Sequence, residues 1–148
     1  DGTDIVARSN MLAASIMGAT AFQKGLGGVH ALSHPIGAVF DTHHGLANAI
    51  MLPYVLVRNQ AAIEQRLTDA ARYIGLQDAS FTGFLDWILR LRADLNIPHS
   101  LAEIGIDESR ADEIGAAAKQ DPSDGGNPVK LTPADYTAIF IAAVKGVV

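Results

Sequence analysis

Apolar residues recur at three- and four-residue spacings along most of the 148-residue chain, and no segment alternates apolar with polar residues for the length of a strand. This pattern predicts an all-α helical bundle. Thr3 is placed to cap a long helix in which Ile5, Met11, Leu12, Ile16, Met17 and Phe22 sit among alanines, so the helix is expected to be buried on most of its circumference until Lys24, Gly25, Gly27 and Gly28 end it. A short helix follows from about Val29, broken or kinked near Pro35. After a loop at residues 41–43, another helix runs from about His44 towards Asn59 with a kink at Pro53, and an amphipathic one spans Ala61 to Tyr73 before Gly75 stops it. Ser80 caps the next, whose stripe is Phe81, Phe84, Leu85, Ile88, Leu91 and Leu95; its charges Asp86, Arg90, Arg92 and Asp94 read as a solvated face. Asp107 caps a helix through Lys119, residues 121–128 form a loop, and Thr132, Pro133 and Asp135 open a final helix reaching about Lys145.

Length and charge exclude several classes of function. The chain is long enough for one domain with a buried core, and its start at Asp1 without an initiator Met suits a piece of a larger protein or a processed product. A net charge of −5 with no cluster of Lys and Arg argues against nucleic acid. With no cysteine, any metal must be held by nitrogen and oxygen, and a reducing, cytoplasmic setting is the expectation. The apolar run around Ala47 to Val57 is interrupted by Asn48 and Pro53 and too short to span a bilayer, and no signal peptide opens the chain, so a soluble protein without a membrane partner is expected.

Chemistry concentrates in GLGGVHALSHPIGAVFDTHHGLANAIMLP, residues 25–53, where His30, His34, His43 and His44 fall within fifteen consecutive positions. Small and apolar neighbours predict rings that face a closed interior, where imidazoles need partners. His30 and His34, four apart, share one face of a helix and can converge on one centre, and His44 can supply another nitrogen when the loop folds back. The competing reading is that these are core or capping histidines. His43 reads as a bystander, His99 as structural or merely exposed, and Asp41 as a ligand, a cap or a partner that orients a ring, the last two being preferred. Gly25 and Gly27 match only the first two glycines of a dinucleotide-binding turn. His30 occupies the third position and a helix precedes where a strand is required, so the glycines read as permitting a tight turn and close helix approach.

The string from Gly25 to Val55 resembles the signature of the iron-containing alcohol dehydrogenase family, a GLG followed by VHxxxHPxGxxxxxxHGxxNAxxLPxV. The preceding AFQKG and the order of the remaining helices are also similar to that family. The resemblance implies the all-helical C-terminal domain found in these enzymes and in their dehydroquinate synthase-like relatives. It implies that His30 and His44 bind the catalytic metal, Fe2+ or Zn2+, and that His34 lies in the cleft by the substrate and nicotinamide to position substrate or relay a proton. The family commonly has Pro where His43 stands, and NPVKLT has Val129 where the family's NPRxxT has Arg.

The resemblance further implies a domain at residues 1–148 that lacks the N-terminal α/β unit binding NAD or NADP, and lacks the Asp and His that complete the metal site. Such a domain holds half a site, exposes apolar surface that favours a homo-oligomer, and belongs to an enzyme interconverting a small alcohol and its aldehyde or ketone. The alternatives are a zinc glycerol dehydrogenase-like or dehydroquinate synthase-like enzyme domain and a non-catalytic helical assembly module.

Overall fold

The computed structural model describes residues 2–148, and no strand occurs among the described residues. Six helices follow in order: α1 Ile5–Phe22, α2 Gly28–Phe40, α3 His44–Tyr73, α4 Phe81–Asp94, α5 Ala111–Gln120 and α6 Pro133–Lys145. Single 3-10 turns at Ala102–Ile104, Glu108–Arg110 and Pro122–Gly126 link the later ones. The core forms where α2 lies against α3 and α5, and where α6 packs on both α5 and α3. Leu32, Ile36, Ile50, Met51, Ile114, Tyr136 and Phe140 are fully enclosed there.

Local chemistry sets the helix ends. Thr132 and Asp135 form a reciprocal capping box behind Pro133, and Gly146 ends α6 in the left-handed region at φ 69. The Ser80 hydroxyl accepts the Gly83 N–H at 3.0 Å. Asp4, not Thr3, caps α1, its Oδ1 accepting the N–H groups of Val6 and Ala7 at 3.0 Å.

Three expectations fail for reasons of packing. Helix α2 is not broken at Pro35, nor does α3 stop at Asn59: α2 runs thirteen residues through one proline and α3 thirty through Pro53. Both proline rings are buried, so the missing N–H is offset by core contact, and the Gln60-Ala61-Ala62 stretch offers no helix breaker. Arg92 is buried and not solvated. At Asn96 (φ 55) the chain folds back over the end of α4, and the Arg92 guanidinium donates through Nη2 to the carbonyls of Pro98 and His99 at 2.7 and 3.0 Å. Finally, α1 buries none of its residues: Met11, Leu12, Ile16 and Met17 stand 65–71% exposed, since among the described residues no other element packs over that stretch of the helix.

Candidate metal and active site

Helix α2 places His30 and His34 one turn apart on the same side, and Asp41, left-handed at φ 53, ends it. The short link to α3 then brings His44 back beside both rings. Centroid separations are 5.8 Å for His30 and His34, and 5.3 Å from His44 to each of them. The rings do not face a closed interior: His30 is half-buried while His34 and His44 are exposed. The small and apolar residues between them, Ala31, Leu32 and Ile36, point into the core from the other side of α2 and leave the histidines on its open face.

The three imidazoles differ in partners. Asn48, one turn into α3, directs its Nδ2 at the Nε2 of His30 (3.3 Å) and of His44 (3.0 Å). Two Nε2 atoms therefore face one point. His34 turns elsewhere, its Nδ1 2.8 Å from Oδ2 of Asp121. Hence, among the described residues, no three His, Cys, Asp or Glu side chains are set to hold an ion together. The pair His30 and His34, which helical spacing alone brings together, does not share a centre; His30 and His44 do.

Electrostatics favours free lone pairs. Burial lowers the His30 pKa below its ordinary 6.5, and the neighbouring His44 and His34 lower it further against the opposing pull of Asp121. Its neutral form can offer a ligand lone pair. Partial burial alone would raise the Asp121 pKa, but the Ser123 N–H and the His34 ring prevail and hold it below the usual carboxylate value.

Around this cluster the glycines do what the sequence requires of them. The Gly28 N–H donates to Oδ1 of Asn127 at 3.0 Å, and a Cβ on Gly28 would meet that same oxygen at 3.0 Å. Asn127 is paired in turn with buried Asn59 through two amide bonds of 2.8 and 2.9 Å. A cleft of about 740 Å³ opens between α1 and the starts of α2 and α3, bounded by Phe22, Leu26, His30, Asn48, Leu52 and Asn127. His43 is a cap whose Nδ1 accepts the Leu46 N–H at 3.4 Å, and His99 contacts the Gly146 carbonyl at 3.1 Å; neither joins the cluster. Asp41 ends a helix, and the carboxylate that orients a ring is Asp121.

Sequence reasoning missed Asn48, Ser33 and Asp121. The first two carried a signal, because Asn48 lies four residues after His44 and Ser33 three after His30, on adjoining helical faces. Asp121 carried none.

The profile described as "Fe-containing alcohol dehydrogenase family, C-terminal" matches residues 1–144. The chain belongs to the iron-containing alcohol dehydrogenase family. It is 37% identical to 4-hydroxybutyrate dehydrogenase of Cupriavidus necator over 92% of this chain and 37% of that protein. Against 1,3-propanediol dehydrogenase of Klebsiella pneumoniae identity is 33% over 94% of this chain and 38% of the relative. The crystal structure of a 1,3-propanediol oxidoreductase superposes with a TM-score of 0.91 at 33% identity, over 96% of this chain and 39% of that one. An alcohol dehydrogenase from Oenococcus oeni gives 0.90 at 32%, over 97% and 39%. The chain thus corresponds to the C-terminal helical region of the family and spans under two-fifths of the length of these relatives.

Proposed function

We propose that this chain is the metal-holding helical domain, residues 1–148, of an NAD(P)-dependent alcohol dehydrogenase, with His30 and His44 as ligands and His34 as the acid–base group. The observation that carries the reading is the meeting of two imidazole Nε2 atoms at a single amide nitrogen, that of Asn48. Imidazole pairs without thiolates suit Fe2+ or Zn2+, and two of them fill part of a coordination sphere, the remainder coming from residues outside these 148. The nicotinamide nucleotide is likewise held mainly outside them.

When bound, the ion would supply Lewis acidity at the substrate oxygen and the nicotinamide nucleotide would serve as hydride acceptor or donor. The chain's own residues do the rest. His30 and His44 present their Nε2 atoms to one point. Asp121 accepts the Nδ1–H of His34 and so leaves Nε2 of that exposed ring free to take the hydroxyl proton of an alcohol, or to return it to the carbonyl oxygen in reduction. The apolar cleft beside His30 suits the carbon chain of a small alcohol or aldehyde, in keeping with the diol and hydroxy-acid substrates named for the relatives above.

We also infer a cytoplasmic homo-oligomer with neither nucleic-acid nor membrane partners. Helix α1 has the length (18 residues) and mean hydropathy (1.2) at which a span becomes feasible, but it lies inside the region shared with the family, which favours covering by protein.

The test is to load the full gene product with Fe2+ or Zn2+ and follow NAD(P)H with a panel of small alcohols and aldehydes, alongside metal analysis. His30→Ala and His44→Ala should each lose bound metal and turnover, whereas His34→Ala should keep the metal and lose turnover. Retention of metal by both ligand variants would sink the assignment.

A further inference from the structure

Asn48 is the point on which the two proposed ligands meet, and its hydrogen-bonding capacity matches them. A carboxamide carries two N–H donors and one carbonyl acceptor with no freedom to exchange them unless it flips. The donors face Nε2 of His30 at 3.3 Å and Nε2 of His44 at 3.0 Å. The carbonyl is claimed from behind, since the hydroxyl of Ser33 donates to Oδ1 at 2.6 Å. Ser33 is fully buried, with the His30 carbonyl as a second acceptor at 3.3 Å, so its hydroxyl has no competing solvent partner. A flipped amide would set an N–H against that hydroxyl and a carbonyl against both rings. In the observed orientation the Ser33 hydroxyl meets Oδ1 and the amide nitrogen faces the histidines.

An N–H that donates to Nε2 requires a lone pair there, which puts the ring proton on Nδ1. We propose that Asn48, its carbonyl engaged by Ser33, is a positioning residue that holds His30 and His44 in the Nδ1–H tautomer with both Nε2 lone pairs at one point before any ion arrives. The functional meaning of this device rests on the proposed role of the two histidines as ligands; the tautomers themselves do not. Without such a partner a neutral histidine ring favours the other tautomer, with the proton on Nε2. Both rings would then have to move a proton and reorient before ligating. The carboxamide acts as a placeholder, donating where a cation will later attract the same lone pairs, and its bonds are the ones given up on loading.

Long-range 1H–15N spectra of the full gene product without metal, above the pH range of histidine titration, read the tautomers directly. His30 and His44 are expected in the Nδ1–H form. Asn48→Asp keeps the shape but offers only acceptors, so both rings should invert to Nε2–H; a merely structural side chain would not produce that inversion. Asn48→Leu should release both to the mixture of an unrestrained imidazole, and Ser33→Ala should weaken the preference while leaving Asn48 in place. Wild-type rings already protonated at Nε2, or tautomers unmoved by Asn48→Asp, would overturn the proposal. A parallel Zn2+ titration keeps the two readings separate. Failure of the His30 and His44 signals to respond to zinc counts against the ligand assignment alone, while unmoved tautomers in a zinc-responsive protein count against Asn48 alone.

Discussion

His34 stacks on His44, ring centroids 5.3 Å apart and planes inclined by 16°, although a helix end and a left-handed residue separate them in the chain. The stack exists because α3 starts immediately after the turn at Asp41, so its first residue faces back onto the middle of α2. One ring of the pair is tied to Asn48 and the other to Asp121. Under the proposed function these neighbouring imidazoles do different work, one offering Nε2 to an ion and the other exchanging a proton.

This division predicts that Asp121→Ala separates chemistry from metal binding. Turnover should fall on the order of 10- to 100-fold, less than loss of the acid–base group itself. Metal content should stay at the wild-type level. Loss of metal in this variant would show that Asp121 supports the ligands instead.

Acid should weaken the metal-free fold in two stages. The lowered His30 pKa favours the neutral ring in the folded state, so its contribution is present above the ordinary value of 6.5 and is lost as pH falls from there towards the lower folded value. The depressed Asp121 pKa gives a contribution present above the ordinary 3.8 and lost as pH falls through the folded value. Urea midpoints measured across the acid range should decline accordingly, with the first stage absent in His30→Gln and the second in Asp121→Ala. A wild-type midpoint that stays level through both windows would contradict this.

Asn127, at the end of the last 3-10 segment, ties that segment to α3 through Asn59 and to the start of α2 through the Gly28 N–H. Removing one carboxamide with Asn127→Ala leaves buried Asn59 and the Gly28 N–H without partners. The expected destabilisation is about 1–3 kcal/mol. Denaturant unfolding measures it, and a change within error would mean that water replaces the pair.

Close contact of α5 and α6 depends on Gly115, where a Cβ would lie 2.2 Å from Oγ1 of Thr137 and 2.7 Å from the Pro133 carbonyl. Gly115→Ala should therefore cost about 1–3 kcal/mol by overpacking, despite the better helix propensity of alanine. Thermal unfolding of Gly115→Ala with and without Thr137→Ala separates the clash from propensity, because the second change should restore part of the loss.

Exposed Met11, Leu12, Ile16 and Met17 make α1 an adhesive surface in the isolated chain. The chain should bind anilinonaphthalene sulfonate and associate as concentration rises in sedimentation experiments. Leu12→Lys with Ile16→Lys should reduce both effects. Unchanged dye binding in that variant would place the sticky surface elsewhere.

Most helices, the Ser80 and Thr132 caps and the shared face of His30 and His34 were legible in the sequence, since each depends on residues within a turn of one another; the caps placed at Thr3 and at Asp107 for the fifth helix were not, α1 being capped by Asp4 and Asp107 capping a separate 3-10 turn. The Thr132 and Asp135 box and the Ser80 cap follow from such local rules. So does the family, because its histidine string is contiguous. Which faces are covered was settled only by segments meeting from afar. Asp121 reaches His34 across 87 residues and Asn127 reaches Asn59 across 68. Burial carries α2 and α3 through their prolines, a backward fold of the chain encloses Arg92, and among the described residues too little packs on α1 to bury any of it. Periodicity states that a face is apolar or that a ring points outward; what it meets is decided by contacts that no local pattern encodes.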